Sequence, residues 1–329
     1  MKVTLLAEAE LRRCVDLDLD AVAKVEDAFT RLADGNAVMP AIVCVEIPEQ
    51  RGEVDIKTAY VRGLDSFAVK IASGFFGNDR YGLPSGSGMM VLVSAKTGVP
   101  EAVLLDNGYL TDVRTGAAGA VAARHLSRAT VETVGIIGAG AQARYQALAL
   151  KQVREFRRVL VYGRTRQRAE GYVAEMTPRL GVEVVAAGDA ETVVRSSEIV
   201  ITTTPSREPY LRAEWLHPGV HITAMGSDGP EKQELFADVL GRADLLVCDS
   251  RAQCERLGEL HHARTAGCLP SEDRIAELGE ITSGRRHGRE HDAQITICDL
   301  TGTGVQDTAI ALLAHRRAVE RGLGLQIET

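Results

Sequence analysis

The sequence predicts an α/β protein of two domains: a parallel sheet covered by helices, and a smaller, mostly antiparallel α+β domain. Strand patterns alternate with helical patterns from residue 133 onward, which is typical of a parallel sheet with helices on both faces. Before residue 111 the strand patterns follow one another with glycine-rich turns between them, which is typical of antiparallel pairing. A chain of 329 residues is long enough for two separate cores.

The first domain begins with a predicted helix over residues 16–33, because apolar residues recur there at helical spacing. Residues 53–61 alternate between polar and apolar positions, which is strand periodicity. Glu53, Asp55 and Lys57 fall on the same face of this strand, so that face is charged. Three more strands are predicted between glycine-rich turns, over 67–71, 88–94 and 100–106.

The second domain begins near residue 114, where small residues and helix formers replace the strand patterns. Strands are predicted over 134–138, 158–162, 182–185, 197–203, 220–225 and 244–248. Helices are predicted between them over 141–154, 166–180 and 189–195. A last helix, predicted from Gly304 to Arg321, returns to pack on the first domain. The predicted domains are therefore 1–113, completed by the C-terminal helix 305–329, and 114–304.

Charge and composition exclude several classes of protein. The net charge is -7 and no block of Lys or Arg is present, which argues against nucleic acid or an anionic membrane as a partner. The first twenty residues lack the apolar core of a signal peptide. No apolar run approaches the roughly 18 residues that span a bilayer. The six cysteines are scattered without a CxxC pair, so we expect a cytoplasmic protein with reduced thiols.

One histidine pattern suggests a metal but has the wrong context. His287 and His291 fall in an HxxEH sequence, which one class of zinc protease presents on a helix. Gly288 lies inside the pattern, and Gly284 precedes it, so a solvated loop is predicted instead. We therefore expect no metal site.

A glycine-rich segment predicts a dinucleotide site. Gly138, Gly140 and Ala143 form a GxGxxA sequence directly after an apolar strand and at the start of a helix. Gly138 can make the tight turn, Gly140 lets the backbone approach a pyrophosphate, and Ala143 allows close helix packing. Ala141 and Gln142 open the helix whose free N–H groups would bind the phosphates. The sequence thus predicts a Rossmann-type domain; a tight turn without a nucleotide is the alternative.

The end of the next strand indicates which nicotinamide cofactor binds. Dinucleotide folds that prefer NAD place an acid there, against the ribose hydroxyls. This chain has Arg164, Thr165 and Arg166 instead, which suit a 2′-phosphate. NADP(H) is therefore favoured, with NAD(H) as the alternative if the arginines only form a solvated helix start.

Arg114 is a candidate for binding the carboxylate of a substrate. It lies near the start of a predicted helix, and a guanidinium pairs bidentately with a carboxylate. A structural salt bridge with Asp106 or Asp112 is the competing role.

Lys70 stands in an otherwise apolar predicted strand, where a buried ammonium would need an anionic partner. That partner is either the substrate or Asp55, which we also consider as a catalytic residue together with Lys70. We assign Lys57, on the charged face of its strand, and Ser85, in a glycine-rich turn, to substrate binding.

Asp228 follows a predicted strand of the second domain, in the sequence Gly-Ser-Asp-Gly-Pro. Open α/β sheets place their active sites at this edge, so we expect a catalytic role rather than a simple Asx-turn. Five further residues at strand ends or helix starts are assigned to the cofactor: Thr115, Thr203, Thr204, Met225 and Val305.

At these residues the sequence resembles the ornithine cyclodeaminase/mu-crystallin family, and most closely its ectoine-utilisation-type branch. The resemblance spans the chain and is carried by GEVDIKTAY at 52–60, FAVKIASG at 67–74, LLDNGYLTDVRTGAAGA at 104–120, VGIIGAGAQAR at 134–144, HITAMGSDGPEKQEL at 221–235 and DLTGTGVQD at 299–307. It implies a homodimer whose first domain both dimerises and contacts the substrate. It also implies that Lys70 and Arg114 hold the substrate carboxylate while Asp228 handles protons at the reacting nitrogen.

The family includes several chemistries, which share hydride transfer between an α-carbon and the nicotinamide. The absence of an arginine soon after Pro40, where ornithine-binding members carry one, argues against ornithine as the substrate. Because cells keep NADP largely reduced, the arginines after the second strand favour an NADPH-dependent imine (ketimine) reductase acting on a small α-imino acid. The alternatives are an NAD-dependent cyclodeaminase and a non-catalytic binder of the mu-crystallin type.

Overall fold

A computed structural model describes residues 2–328 of the chain. Sixteen strands run through this part of the sequence. They are β1 Lys2–Ala7, β2 Ala37–Val38, β3 Val43–Ile47, β4 Gly52–Val61, β5 Ser66–Phe75, β6 Gly86–Ser94, β7 Pro100–Leu105, β8 Thr133–Ile137, β9 Arg158–Tyr162, β10 Glu183–Ala186, β11 Ile199–Thr202, β12 His221–Ala224, β13 Leu245–Cys248, β14 Ile275–Glu277, β15 Thr296–Asp299 and β16 Leu325–Glu328.

Eleven α-helices lie in the same part of the chain. They are α1 Glu8–Cys14, α2 Leu19–Ala33, α3 Tyr109–Leu126, α4 Ala141–Val153, α5 Arg166–Leu180, α6 Ala190–Arg195, α7 Ala237–Gly241, α8 Arg251–Cys254, α9 Gly258–Thr265, α10 Leu278–Thr282 and α11 Gly304–Glu320. Short 3₁₀ helices cover Pro48–Gln50, Asn78–Tyr81, Ala213–Trp215 and Glu272–Arg274.

The chain divides into two units, which we call the first unit (2–114 and 303–328) and the second unit (115–302). The second unit contains a parallel sheet and the first a mostly antiparallel one. The predicted fold class is therefore confirmed. One division falls inside α3 and the other just before α11, within two residues of the predicted boundaries.

The sheet of the first unit has the order β16-β1-β7-β6-β5-β4-β2, and β3 also pairs with β4. Its pairs are antiparallel except for β1 with β7. The C-terminal residues add the edge strand β16, so the prediction of a helix reaching residue 329 was wrong. The helix ends at Glu320, and Gly322 and Gly324 both take positive φ angles there, which end the helix and turn the chain toward the sheet edge.

Helices α2 and α11 pack together, and α11 lies against β4 and β5. Helix α2 is amphipathic and buries Val22, Val25 and Phe29. It begins at Leu19 rather than at residue 16, because the Asp18 side chain caps it by accepting the Ala21 N–H.

Glycine allows α11 to approach the sheet closely. A Cβ at Gly304 would lie 2.4 Å from the backbone oxygen of Thr58, so only glycine fits at the start of this helix. This contact fixes where the first turn of α11 meets the strands.

The eight strands of the second unit are all parallel, in the order β10-β9-β8-β11-β12-β15-β13-β14. Neighbouring residues of a strand enter different cores: Ile136 and Ile201 pack into one, whereas Ile137 and Val200 pack into the other. The sheet is therefore covered on both faces, as the near-continuous apolar strands predicted.

Sequence reasoning missed several short elements: β1, β2, β3, β14, β15, β16 and the helices α1 and α7 to α10. Strand β15 is central in the parallel sheet, yet it has only four residues. Four residues carry too little periodicity to separate a buried strand from an apolar loop, and their pairing partners are distant in sequence.

The remaining structural expectations concern membranes, metals and cysteines. Across residues 2–328, none of the helices combines the length and apolar character that a membrane crossing requires. The HxxEH segment at 287–291 has no helix, and the same part of the chain contains no cluster of three or more His, Cys, Asp or Glu arranged for a metal. All six cysteines are free thiols.

Candidate active site

The turn after β8 packs tightly against the end of β11. Gly138 has φ +115, a conformation that side chains other than glycine avoid. A Cβ there would also lie 2.4 Å from the Thr203 Oγ1, so the turn and the end of β11 are in contact. Thr203 in turn donates its backbone N–H to the Ile137 oxygen at 2.9 Å. The structure thus brings two predicted cofactor residues together.

The start of α4 has the properties of a phosphate site. Gly140 is the N-cap, and a Cβ placed on it meets no atom of residues 2–328 within 4 Å. No side chain described by the structure caps α4, and Ala141 and Gln142 form its first turn, where the backbone N–H groups and the helix dipole favour an anion. Ala143 is buried one turn along, where the helix packs on the sheet. These residues fit the pyrophosphate of a dinucleotide.

Arg144, which sequence reasoning missed, stabilises this turn by binding its carbonyl groups. Its Nη1 donates to the backbone oxygens of Ala139 and Gly140 at 2.8 and 2.9 Å, and its Nε lies 2.6 Å from Glu175 on α5. By engaging the carbonyl groups, Arg144 fixes the orientation of the peptide units whose N–H groups face the opposite way. Nothing in a single sequence separates this arginine from a surface one.

Gln146 joins two further predicted cofactor residues. It is buried, and its Nε2 donates to the Thr115 oxygen at 2.8 Å and contacts the Met225 Sδ at 2.6 Å. The Gln146 Oε1 points at Gly119, where a Cβ would lie only 1.9 Å away. Helix α3, helix α4 and the end of β12 are therefore fixed to one another around this side chain.

A buried carboxylate organises the loops after β11 and β12. Glu234 accepts hydrogen bonds from the Thr204 N–H and hydroxyl, from the Tyr210 hydroxyl and from the Gly226 N–H, at 2.7 to 2.9 Å. Burial raises the pKa of Glu234, and these donors oppose that rise. Thr204, a predicted cofactor residue, is thus held by an acid that sequence reasoning missed.

The segment after β9 is open to solvent. Arg164, Thr165 and Arg166 are exposed, with Thr165 as the N-cap of α5. The Arg166 Nε lies 2.8 Å from Glu170 one turn along the helix. Arg164 is therefore better placed than Arg166 to pair with a 2′-phosphate.

Asp228 lies in the loop after β12, at the edge of the sheet where Gly138 also lies. Its carboxylate is 2.7 Å from the Lys232 Nζ, and its side chain is 43% exposed, whereas that of Lys232 is 7% exposed. The structure thus places a partly exposed carboxylate next to a buried ammonium. This ion pair was not predicted from the sequence.

In the first unit, Lys70 and Arg114 share one carboxylate, that of Asp307 on α11. The Lys70 Nζ lies 2.9 Å from Asp307 Oδ2, and the Arg114 Nε lies 2.9 Å from Asp307 Oδ1. All three side chains are buried. The protein carboxylate that pairs with Lys70 is therefore Asp307 rather than Asp55, and Arg114 also pairs with Asp307 rather than with Asp106, which accepts the Leu110 N–H at the start of α3.

Burial and charge set the protonation of this group. Burial, together with repulsion from Arg114, lowers the pKa of Lys70 to about 7. Burial alone would raise the pKa of Asp307, but Lys70 and Arg114 hold it below its usual value. Two buried cations and one carboxylate carry an excess positive charge, which one more anion would neutralise.

Lys57 and Asp55 extend this group along β4. Lys57 is directly opposite Lys70 in the pairing of β4 with β5, and its Nζ lies 3.9 Å from the Asp55 carboxylate. We call Lys57, Lys70 and Arg114, with the carboxylates of Asp55 and Asp307, the cationic cluster.

Two predicted residues lie elsewhere in the first unit. Ser85 is exposed, next to Gly86, which pairs with Gly74. At about 3.3 Å per residue this is roughly 13 Å along β5 from Lys70, so the structure does not join Ser85 to the cationic cluster. Val305 is fully buried in an apolar core with Ala59 and Val61, and its contact with a cofactor stays a prediction.

Comparison with known proteins identifies the family. The model of the ornithine cyclodeaminase/mu-crystallin family matches residues 2–322. The chain belongs to this family. A relative, an uncharacterized cyclodeaminase of Sinorhizobium fredii, is 52% identical over 326 residues, which cover 99% of this chain and 98% of that protein.

Solved members of the family superpose on nearly the whole chain. An archaeal alanine dehydrogenase dimer with bound NAD has a TM-score of 0.92 at 35% identity, covering 100% of this chain and 99% of its own. The Delta(1)-pyrroline-2-carboxylate reductase of Thermococcus litoralis, with NADH and L-proline, has a TM-score of 0.93 at 32% identity, covering 99% and 100%. The iminosuccinate reductase of Paracoccus denitrificans, with NAD+, has a TM-score of 0.90 at 28% identity, covering 100% of both chains.

These relatives settle the general class of the protein. It is an NAD(P)-dependent oxidoreductase of the ornithine cyclodeaminase/mu-crystallin family, as the GxGxxA turn and the chain-wide motifs predicted. The prediction of an enzyme rather than a carrier is confirmed, because relatives at 52%, 36% and 32% identity are named a cyclodeaminase, an alanine dehydrogenase and a pyrroline-2-carboxylate reductase.

Proposed function

We propose that this protein is an imine reductase that converts a small α-imino acid into the α-amino acid with NADPH. The main support is the cationic cluster, in which two buried cations, Lys70 and Arg114, share the single carboxylate of Asp307. The carboxylate of an imino acid would supply the missing negative charge and pair with the guanidinium. Two solved relatives are named for reducing imines that carry carboxylates.

In the proposed mechanism each residue has a separate task. Lys70 and Arg114 hold the substrate carboxylate, which fixes the position of the imine carbon. Asp228 exchanges a proton with the imine nitrogen, directly or through a water, and so favours the iminium form, which accepts a hydride better than a neutral imine. When bound, the nicotinamide supplies the hydride.

The residues of the second unit would hold the dinucleotide. Gly138, Gly140 and the N–H groups at the start of α4 are suited to the pyrophosphate, and Arg144 keeps that turn in place. The solved relatives named above contain NAD or NADH and so do not support NADPH. The proposed preference for NADPH rests instead on Arg164. A phosphate on the ribose would pair with this exposed guanidinium.

We also propose a homodimer. One face of the sheet in the first unit is covered by α11, but the opposite face is apolar and only partly buried, for example in the row Val43, Ile56, Ile71 and Met89 across β3 to β6. A second copy of the chain would cover such a face. The solved archaeal alanine dehydrogenase is a dimer.

The alternative is a cyclodeaminase, which the name of the Sinorhizobium relative favours. Such an enzyme releases ammonia from a diamino acid and returns its cofactor to the oxidised state, so nicotinamide absorbance shows no net change.

The test is a substrate panel with both cofactors. Cyclic imines, and imines formed from α-keto acids with ammonium, should be reduced with loss of NADPH absorbance. L-ornithine with NAD+ should release no ammonia. Ammonia release without a net absorbance change, and no imine reduction, would replace this proposal by the cyclodeaminase.

A further inference from the structure

A second buried lysine faces Lys70 from the neighbouring strand. Lys57 and Lys70 are a direct cross-strand pair of β4 and β5, so both side chains lie on the sheet face against which α11 packs. Their side chains are only 5% and 2% exposed. Like charges directly opposite each other destabilise a pair of strands. An anion bound near both ammonium groups would relieve this repulsion.

The carboxylates of the cationic cluster do not match its cations in number. Asp307 is already shared between Lys70 and Arg114. Asp55 forms the ion pair of Lys57, but at 3.9 Å, and its side chain is 21% exposed. Asp106 also acts on Lys70 electrostatically, yet its Oδ2 accepts the Leu110 N–H. In these ion pairs Asp307 therefore serves two cations, and Asp55 lies farther from the third.

We infer, on the basis of the imine-reductase function proposed above, that the substrate is a four- or five-carbon α-imino dicarboxylate. Its α-carboxylate binds Lys70 and Arg114, and its side-chain carboxylate binds Lys57. Directly opposite residues of two strands have Cβ atoms about 4.5–5.5 Å apart, a separation that the two carboxylates of a short dicarboxylic acid can bridge. Lys57 is then the residue that determines specificity for the second acidic group.

A diamino acid fits this cluster less well. Its distal ammonium would have to bind Asp55, the more solvated member of the cluster, and would bring a fourth cation next to Lys57, Lys70 and Arg114. A second carboxylate instead reduces the positive charge. The charge balance therefore favours an acidic side chain on the substrate.

The reaction is balanced for a four-carbon substrate formed in the assay. Oxaloacetate and ammonia lose water and form iminosuccinate. A hydride from the reduced nicotinamide adds to the imine carbon and a proton adds to the nitrogen, giving aspartate and the oxidised nicotinamide. The matched uncharged probe is 2-oxobutyrate with ammonium, in which a methyl group replaces the distal carboxylate.

The experiment compares kcat/KM for these two probes in the full-length enzyme. The wild type should prefer oxaloacetate with ammonium by at least about tenfold. Lys57→Met should lower that preference by about 10- to 100-fold, the range expected for loss of a hydrogen bond between charged groups. Lys57→Arg should restore most of it. Lys96→Met is the control, since this lysine is 75% exposed and pairs with Asp65, and it should leave the preference unchanged.

A binding measurement separates this inference from the proposed function. By calorimetry, succinate should bind the wild type more tightly than butyrate, and Lys57→Met should remove the difference. If the enzyme reduces both imines but Lys57→Met affects them equally, the dicarboxylate inference is wrong and the reductase function stands. If neither imine is reduced while succinate binding still depends on Lys57, the reductase function fails and the anion site remains.

Discussion

Lys70 Nζ and Asp307 Oδ2 lie 2.9 Å apart with both side chains buried, so a carboxylate of α11 forms a buried ion pair with a lysine on β5. Burial, with Arg114 nearby, lowers the pKa of Lys70 to about 7, so the ammonium is present below this pH and is lost above it. We expect KM for an anionic substrate to be constant below about pH 7 and to rise at higher pH.

The measurement is a KM profile from pH 6 to 9. Lys70→Arg should flatten it, because a guanidinium stays protonated throughout that range. A wild-type profile that already shows no break near neutral pH would contradict the carboxylate-binding role of Lys70.

The exposed Arg164 should decide cofactor preference. Arg164→Ala should lower kcat/KM for NADPH by about 10- to 100-fold, since a charge-assisted hydrogen bond is lost, with little change for NADH. Arg166→Ala should have a smaller effect, because Arg166 pairs with Glu170. Arg168→Ala, an exposed residue of the same helix, is the matched control. Equal losses with both cofactors would show that Arg164 does not bind the 2′-phosphate.

Asp228 should matter for chemistry rather than for cofactor binding. Asp228→Asn keeps the shape of the side chain but removes the acid, so kcat should fall by roughly 10²–10⁴, the usual contribution of a positioned proton-transfer group. The Kd for NADPH, measured by fluorescence titration, should hardly change. Weaker NADPH binding with intact turnover would make Asp228 a structural turn residue instead.

The close contact of α11 with β4 should make Gly304 sensitive to substitution. In Gly304→Ala the new Cβ would lie 2.4 Å from the Thr58 oxygen and 2.5 Å from its carbonyl carbon, neither of which can rotate away. We expect a loss of about 1–3 kcal/mol in the free energy of unfolding, measured with urea. Gly171→Ala, inside α5 and without a neighbour within 4 Å among the described residues, should instead stabilise by about 0.5–1 kcal/mol. Equal effects of both variants would argue against this tight contact.

The partly buried apolar sheet face predicts a dimer in solution. Light scattering at micromolar concentration should give twice the chain mass of 35.4 kDa. Val45→Glu, a charge at a position that is 51% exposed on this face, should shift the mass toward the monomer. A wild-type monomer at that concentration would remove the proposal.

Some parts of the site could be predicted because their signals are local. Gly138, Gly140 and Ala143 follow one another within one strand-turn-helix unit, and their backbone demands can be recognised without knowing the rest of the fold. Lys70 was noticed for a similar reason, since an ammonium among apolar strand residues is unusual within a few positions of sequence.

Other parts could not be predicted, because their partners come from distant segments. Asp307 lies 237 residues after Lys70, and only the packing of α11 on the sheet brings the two together. Glu234 likewise gathers groups from two loops that the sequence leaves apart. Sequence reasoning therefore offered Asp55, which is nearer in sequence, as the partner of Lys70 within the protein, whereas Lys70 pairs with Asp307.

The sequence by itself determined the alternation of strands and helices, the dinucleotide turn and the family, because hydrophobic period and glycine spacing act over a few residues. Only the tertiary structure decided which charges meet. Lys57, Lys70, Arg114 and Asp307 come from three strand or helix segments and from the C-terminal helix, and their mutual distances depend on strand register and on the close fit of Gly304. Electrostatic interactions weaken with distance and strengthen with burial, so the strength of each one follows from packing that no local pattern encodes.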